Sequence, residues 1–204
     1  MRRIGVYCID ETEVTSGQYA TFLDRTDGGS SAPVHPACAV DVDRLPAEGW
    51  PSPPEWRSLP VLSVSWCDAW SYCAAHGKRL CGRRGGGALP STETSNPAAS
   101  EWYRACSKAG EKRLPYGNEP IVGECATNRE VRWVGEKCEG GYRGIFDMVG
   151  NAAEWIDVCS TFGSLELCVL QGGDPFESLA DCKTVKLLGR HAKNPVAGFR
   201  CCAD

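Results

Sequence analysis

The sequence predicts an α+β fold of low regular secondary structure, a single compact domain over residues 1–204 held by several disulfides. Three observations predict it. Three short amphipathic helix signatures stand apart in loop-rich sequence. The 23 glycines and 13 prolines punctuate the remainder into turns. Thirteen cysteines are dispersed along the 204 residues, and 42% hydrophobic residues suffice for a core.

The helices come first. In VTSGQYATFLDR, Thr15 or Ser16 can cap, and Tyr19, Phe22 and Leu23 share one face. In SVSWCDAWSYCAAHGKRL, Ser65 caps, Gly77 stops the helix, and Trp66, Ala69, Trp70 and Cys73 follow the i, i+3, i+4, i+7 spacing. In SNPAASEWYRACSKAG, Asn96 caps, Pro97 takes the first helical position, and Gly110 ends the run. Its stripe is Trp102, Ala105, Cys106 and Ala109. Both later stripes read as core, with a cysteine facing inward on each. Short strands are expected at 4–9, 168–171 and 197–202. Residues 27–60 carry seven prolines and few periodic apolar residues. Residues 82–96, GRRGGGALPSTETSN, read as a flexible surface insertion whose Arg83 and Arg84 lie in a solvated loop. No internal repeat or long linker divides the chain.

Composition excludes some classes. The net charge of −4 speaks against nucleic-acid binding, which needs a basic stripe. No apolar run approaches the roughly 18 residues of a membrane span. No signal peptide is visible at the start. Zinc is the first competitor for the cysteines, but there is no C-x-x-C pair, and His35, His76 and His191 are scattered. Dispersed cysteines read as disulfides in an oxidising compartment, extracytoplasmic or secreted. An odd count leaves at least one thiol unpaired or paired outside the chain.

FDMVGNAAEWIDVC, Phe146 to Cys159, brackets a small-residue turn with Asp147 and Glu154. Calcium takes six to eight hard oxygens from carboxylates and backbone carbonyls, and such a turn can supply both. Taken in order, the stretches IGVYCIDETEVTSGQYATFL, LPVLSVSWCDAWSYCAAHGKRL, NPAASEW, LPYGNE, FDMVGNAAEW, QGG and AGFRC resemble the formylglycine-generating enzyme (sulfatase-modifying factor) family from about residue 4 to 202. Each piece is weak alone; seven in order are specific. The resemblance implies a decorated C-type-lectin-like fold. It also implies a structural calcium ion, with side-chain oxygens from Asp147 and Glu154, carbonyls from Gly150 and Ala152, and Asn151 bracing the turn. A second family calcium site, near Asn128, is not carried over because the segment there is shortened. The same resemblance implies the disulfides Cys73–Cys201 and Cys106–Cys182. Each closes a long loop, worth on the order of 4 kcal/mol in the chain-entropy model. Proximity in chain or sheet adds Cys8–Cys202, Cys125–Cys138 and Cys159–Cys168 as expectations.

One departure decides function. The family's oxidases use copper at two cysteines five residues apart after the GG strand, because soft Cu(I) needs thiolates. Here that segment reads QGGDPFESLADCKTVKLLGRHAK. Cys182 aligns with the later structural cysteine. If it were instead the first of the pair, the second would stand at Leu187. Either way the pair is broken, and copper is not expected. No G-x-S-x-G, phosphate loop or H-E-x-x-H supplies other chemistry. The Gly85–Gly87 run lacks a P-loop lysine, and His191, near Arg190 and Lys193, reads as an exposed loop residue. Two classes survive. The first is a non-catalytic, calcium- and disulfide-stabilised binding module, presenting an unidentified protein or glycan with the loops at 174–196 and 82–96. The second is a divergent oxidase acting on a protein or peptide cysteine, with Cys81 as its candidate nucleophile. The first is favoured, with no catalytic residue assigned.

Overall fold

The structure, a computed structural model, describes residues 1–38, 43–47, 50–163 and 165–204. The proline-rich stretch at 27–60 therefore lies partly outside the described residues.

Helix α1, Ser16–Arg25, begins at Thr15, whose hydroxyl accepts from the Gln18 N–H while the Gln18 side chain accepts from the Thr15 N–H. This reciprocal capping box satisfies two of the N–H groups a helix start leaves open. Helix α2, Trp66–Ala75, repeats it with Ser65 and Asp68. Helix α3 is shorter than expected, Glu101–Ser107, with Ser100 rather than Asn96 as its cap. Asn96 instead spends its side-chain oxygen on the Ala98 N–H, closing a local turn.

Two four-stranded sheets complete the fold. In the first, β1 (Arg2–Ile4) and β2 (Tyr7–Ile9) form a hairpin, so 4–9 is not one strand. β3 (Arg79–Leu80) and β8 (Cys201–Ala203) join it in the order β1-β2-β8-β3. The second runs β6-β5-β4-β7, from β4 (Ala153–Phe162), β5 (Leu165–Gln171), β6 (Val185–Gly189) and β7 (Ala197–Phe199). Only β4 and β7 pair in parallel there. The expected strand at 197–202 is broken at Arg200, where the chain leaves one sheet for the other. The expected loop at 174–196 contains β6. Among residues 82–96, Leu89 is buried, and its N–H donates to the Asp157 carbonyl, so the insertion is pinned at its middle.

Two apolar clusters fill the domain. One gathers Trp102, Ile145, Ile156 and Val158; the other gathers Tyr19, Phe22, Trp66, Tyr72, Trp155 and Phe199. The buried indoles are satisfied: Trp66 donates to the Ile156 carbonyl and Trp155 to the Val64 carbonyl, both at 2.9 Å.

Six disulfides staple the elements: Cys38–Cys67, Cys73–Cys201, Cys81–Cys202, Cys106–Cys182, Cys125–Cys138 and Cys159–Cys168. The expected Cys8–Cys202 bridge is absent, and Cys8 is the free cysteine. Register explains this. Cys202 stands opposite Ile9 and Arg79, whereas Cys8 stands opposite Ala203. Alternation along the strands then aims Cys8 and Cys202 at opposite faces. Cys81, just beyond β3, reaches Cys202 instead, which removes it as a candidate nucleophile.

Asp157, half-buried on β4, gives a test of this packing. Burial pushes its carboxyl up from 3.8 to about 6, with Arg79 opposing. An acid whose folded pKa is raised costs stability progressively as pH rises from about 4 to about 6. Asp157→Asn is expected to recover on the order of 2–3 kcal/mol at neutral pH and almost nothing near pH 4. Urea unfolding of both proteins at the two pH values checks it; an equal difference at both would contradict it.

Candidate functional site

The turn from Asp147 to Glu154 leads into β4. Three of its residues adopt the left-handed region: Asp147 (φ 58°), Gly150 (φ 73°) and Asn151 (φ 59°). Gly150 is required there, since a Cβ would lie 2.4 Å from the Ala126 carbonyl oxygen. Asn151 ties the turn on both sides: its amide donates to Glu13 Oε1 at 2.9 Å, and its oxygen accepts from the Arg132 N–H at 2.8 Å. The Gly150 carbonyl accepts from the Ala152 N–H at 2.7 Å.

The carboxylates have separate fates. Glu154, fully buried, is held by Arg200: Nε lies 2.7 Å from Oε2 and 2.9 Å from Oε1, and Nη2 lies 2.7 Å from Oε1. The Trp102 indole N–H from α3 adds a bond to Oε2 at 2.7 Å. Arg200 also donates to the carbonyls of Asp10, Glu11 and Phe146. Asp147 Oδ2 accepts from the Gly135 N–H at 2.6 Å, and its other oxygen has no partner among the described residues. Glu13 Oε2 is buried without a partner among the described residues.

Three buried carboxylates, Glu13, Asp147 and Glu154, therefore surround one buried guanidinium. Burial, then the Asp147 charge, holds the Glu13 carboxyl well above the usual carboxylate range. Burial likewise pushes Asp147 up to about 6. Burial works against the Arg200 charge, and Glu154, together with Glu13 and Asp147, more than offsets it, so Arg200 stays ionised. A buried surplus of negative charge is neutralised by protons or by a cation. The four expected calcium ligands thus share one turn, and the acid surplus fits a divalent cation. Glu154 as placed fits less well, because its oxygens already serve Arg200 and Trp102. Among the described residues, no group of three or more His, Cys, Asp or Glu side chains is disposed to hold a metal. Neither Glu13 nor Arg200 was singled out from sequence. The signal was faint: Arg200 is a lone charge inside the apolar run AGFRCC, while Glu13 is one of three acids in YCIDETEV and nothing local sets it apart from Asp10 and Glu11.

The segment after β5 forms the second feature. Gly173, at φ 70°, folds the chain back so closely that a Cβ would lie 2.5 Å from the Ala180 Cβ. Lys186 on β6 pairs with Asp174 and, at 3.2 Å, with Glu177. Cys182 is consumed by Cys106. Leu187 lies on β6, half exposed. The loop presents Phe176 and Leu179 to solvent, 64% and 79% exposed. Facing them across a cleft of about 490 Å³ are Ile121 and Val122, also exposed.

The other residues named from sequence do not converge. His191 is exposed, with Nδ1 3.8 Å from Cys67 Sγ, a sulfur already in a disulfide. Arg190 is buried over the Trp66 ring at 5.1 Å. Lys193 donates to the Leu45 carbonyl at 2.7 Å. Arg83 is exposed.

A family model described as sulfatase-modifying factor enzyme 1-like domain matches residues 2–204. The inactive C-alpha-formylglycine-generating enzyme 2 of Bos taurus is 30% identical over 58% of this chain and 39% of its own length. The formylglycine-generating enzyme of Mus musculus is 27% identical over 84% of this chain and 54% of its own length. The chain thus spans about half or less of the length of these relatives. The solved structure of PvdO from Pseudomonas aeruginosa shares the fold, with a TM-score of 0.68 at 18% identity, covering 97% of this chain and 80% of that one.

Proposed function

From the premise that this chain belongs to the sulfatase-modifying factor enzyme 1-like family, we propose that it is a non-catalytic binding module of that family, stabilised by disulfides and calcium and working outside the cytoplasm. The observation that carries this reading is the segment from Gly173 to Cys182. It holds no thiol pair, its one cysteine is bonded to Cys106, and it presents exposed Phe176 and Leu179 rather than sulfur ligands. That one relative is named inactive supports the same direction. Six disulfides mark an oxidising environment, and among the described residues no helix is long and apolar enough to cross a membrane. The binding surface of this reading is the loop at 174–180 with the segment at 113–129; no residue of the insertion at 82–96 or of 181–196 lines the cleft they form. Calcium belongs to the same proposal. Asp147 and Glu154, with the carbonyls of Gly150 and Ala152, would hold it, and the ion would neutralise the acid surplus that Arg200 leaves uncompensated.

Two readouts on one preparation test the proposal. Thermal unfolding in about 1 mM calcium, against a chelator, is expected to show a rise in Tm. An affinity in the ten-micromolar range gives about 2.7 kcal/mol at that concentration. Incubation with Cu(I) and a cysteine-containing peptide is expected to yield no aldehyde. An unchanged Tm would remove calcium from the account, and aldehyde formation would overturn the non-catalytic reading in favour of a divergent oxidase.

A further inference from the structure

The cleft between residues 113–129 and 176–180 carries more information than its exposure. Its apolar walls are Ile121, Val122, Phe176 and Leu179, the last two 64% and 79% exposed and Val122 fully so. Large apolar side chains gathered on one exposed face mark an interaction surface. The charged side chains lining it are Arg113 and Arg129, with no carboxylate among its lining residues. This runs against the chain's own balance of 26 acidic to 22 basic residues. Arg113 is held in place by Asp181 at 3.1 Å. Arg129 is anchored by its backbone, whose N–H donates to the Pro175 carbonyl at 2.7 Å, and its guanidinium has no partner among the described residues. The backbone N–H groups of Val122 and Leu179, which line the cleft from its two segments, find no acceptor among the described residues either. A second cleft, of about 390 Å³ beside Trp50 and Trp56, has no charged lining residue to select an occupant.

Deepening the binding-module reading and resting on it, we infer that this cleft takes an extended peptide segment of a partner protein bearing large apolar side chains beside carboxylates. The apolar side chains fill the space between the walls. Arg129 and Arg113 meet the carboxylates as charge-assisted hydrogen bonds. The unpaired N–H groups of Val122 and Leu179 donate to peptide carbonyls, as in other modes of extended-peptide recognition.

A phage-displayed library of random dodecapeptides is the probe, selected on the whole chain and counter-selected on the Val122→Ser/Leu179→Ser variant, with circular dichroism confirming that the variant is folded. Enriched peptides are expected to combine two or more large apolar residues with Asp or Glu. A synthetic copy should bind at least about ten-fold more weakly to Arg129→Glu, with much of the affinity lost at high salt. Replacing its acidic side chains by amides, or amidating only its C-terminus, shows which carboxylate Arg129 reads. Enriched peptides that are neutral or basic, insensitive to Arg129→Glu yet lost on the double variant, would overturn the partner class and leave the binding face standing. No enrichment over the double variant would overturn both. A concentration-dependent dimer that dissociates in the double variant, or displacement of peptide by decanoate alone, would overturn the peptide in favour of a second copy or an amphiphile.

Discussion

Replacing Cys73, Cys201, Cys81 and Cys202 together by alanine is expected to leave a chain that does not fold. The two bridges sit side by side, with sequence separations of 128 and 121 residues. The first to form closes a loop that Cys106–Cys182 already shortens to about 50 positions, worth about 4.1 kcal/mol in the chain-entropy model. With it in place, the second closes only a short ring, about nine positions counted as separations from Cys73 to Cys81 and from Cys201 to Cys202, worth about 2.6 kcal/mol. Either bridge removed alone should therefore cost about 2.6 kcal/mol, because its neighbour still closes the long loop. Both removed should cost about 6.7 kcal/mol, comparable to the whole stability of an ordinary domain. Urea unfolding of each single-bridge variant, and circular dichroism of the quadruple variant, measure the difference. Single removals that each cost as much as the pair would contradict the shared-loop argument.

Arg200→Met is expected to destabilise the fold by about 3–5 kcal/mol, the usual consequence of stripping one partner from a buried ion pair. Arg200 leads β7 into β8, and its guanidinium joins Glu154 on β4 to the carbonyls of Asp10, Glu11 and Phe146. Without it, Glu154 keeps only the Trp102 N–H, and Glu13 and Asp147 lose their single countercharge. Adding Glu154→Gln should restore part of the loss, since a neutral amide can remain buried where an unpaired charge cannot. Calcium gives a second readout. If the ion seats in the acid turn, Arg200→Met should gain more stability from calcium than the parent does, because its acid surplus is larger. Denaturant midpoints of the three proteins, with and without calcium, decide the matter. A variant within about 1 kcal/mol of the parent would show that the pair does little.

Sequence legibility followed local chemistry. Thr15 with Gln18 and Ser65 with Asp68 are capping boxes written within four residues, and α1 and α2 begin where those residues place them. Asn96 followed by Pro97 carries an equally good local signal, but Ser100 takes the cap because its backbone bridges to Arg83. β4 was hidden because AEWIDV is buried on both faces and shows no alternation, as expected of a central strand. β6 was hidden by the reverse, since VKLLG leaves Val185 and Leu187 exposed. Charge networks are less legible still. Glu13 and Arg200 lie 187 positions apart in sequence, and only the fold brings them to the same buried cluster around Asp147 and Glu154. Cys38–Cys67 joins a loop to the first turn of α2 and had no local signal at all.

The central claim is that this chain keeps its family's fold while spending its cysteines on structure rather than on a metal–thiolate centre. Intact mass spectrometry tests it most directly, under native conditions and again after denaturation and thiol alkylation without reduction. The account predicts bound calcium in the native spectrum and a single alkylated thiol, mapped to Cys8. Copper retained in the native spectrum, with three alkylatable cysteines after denaturation, would contradict it and return the chain to the oxidases.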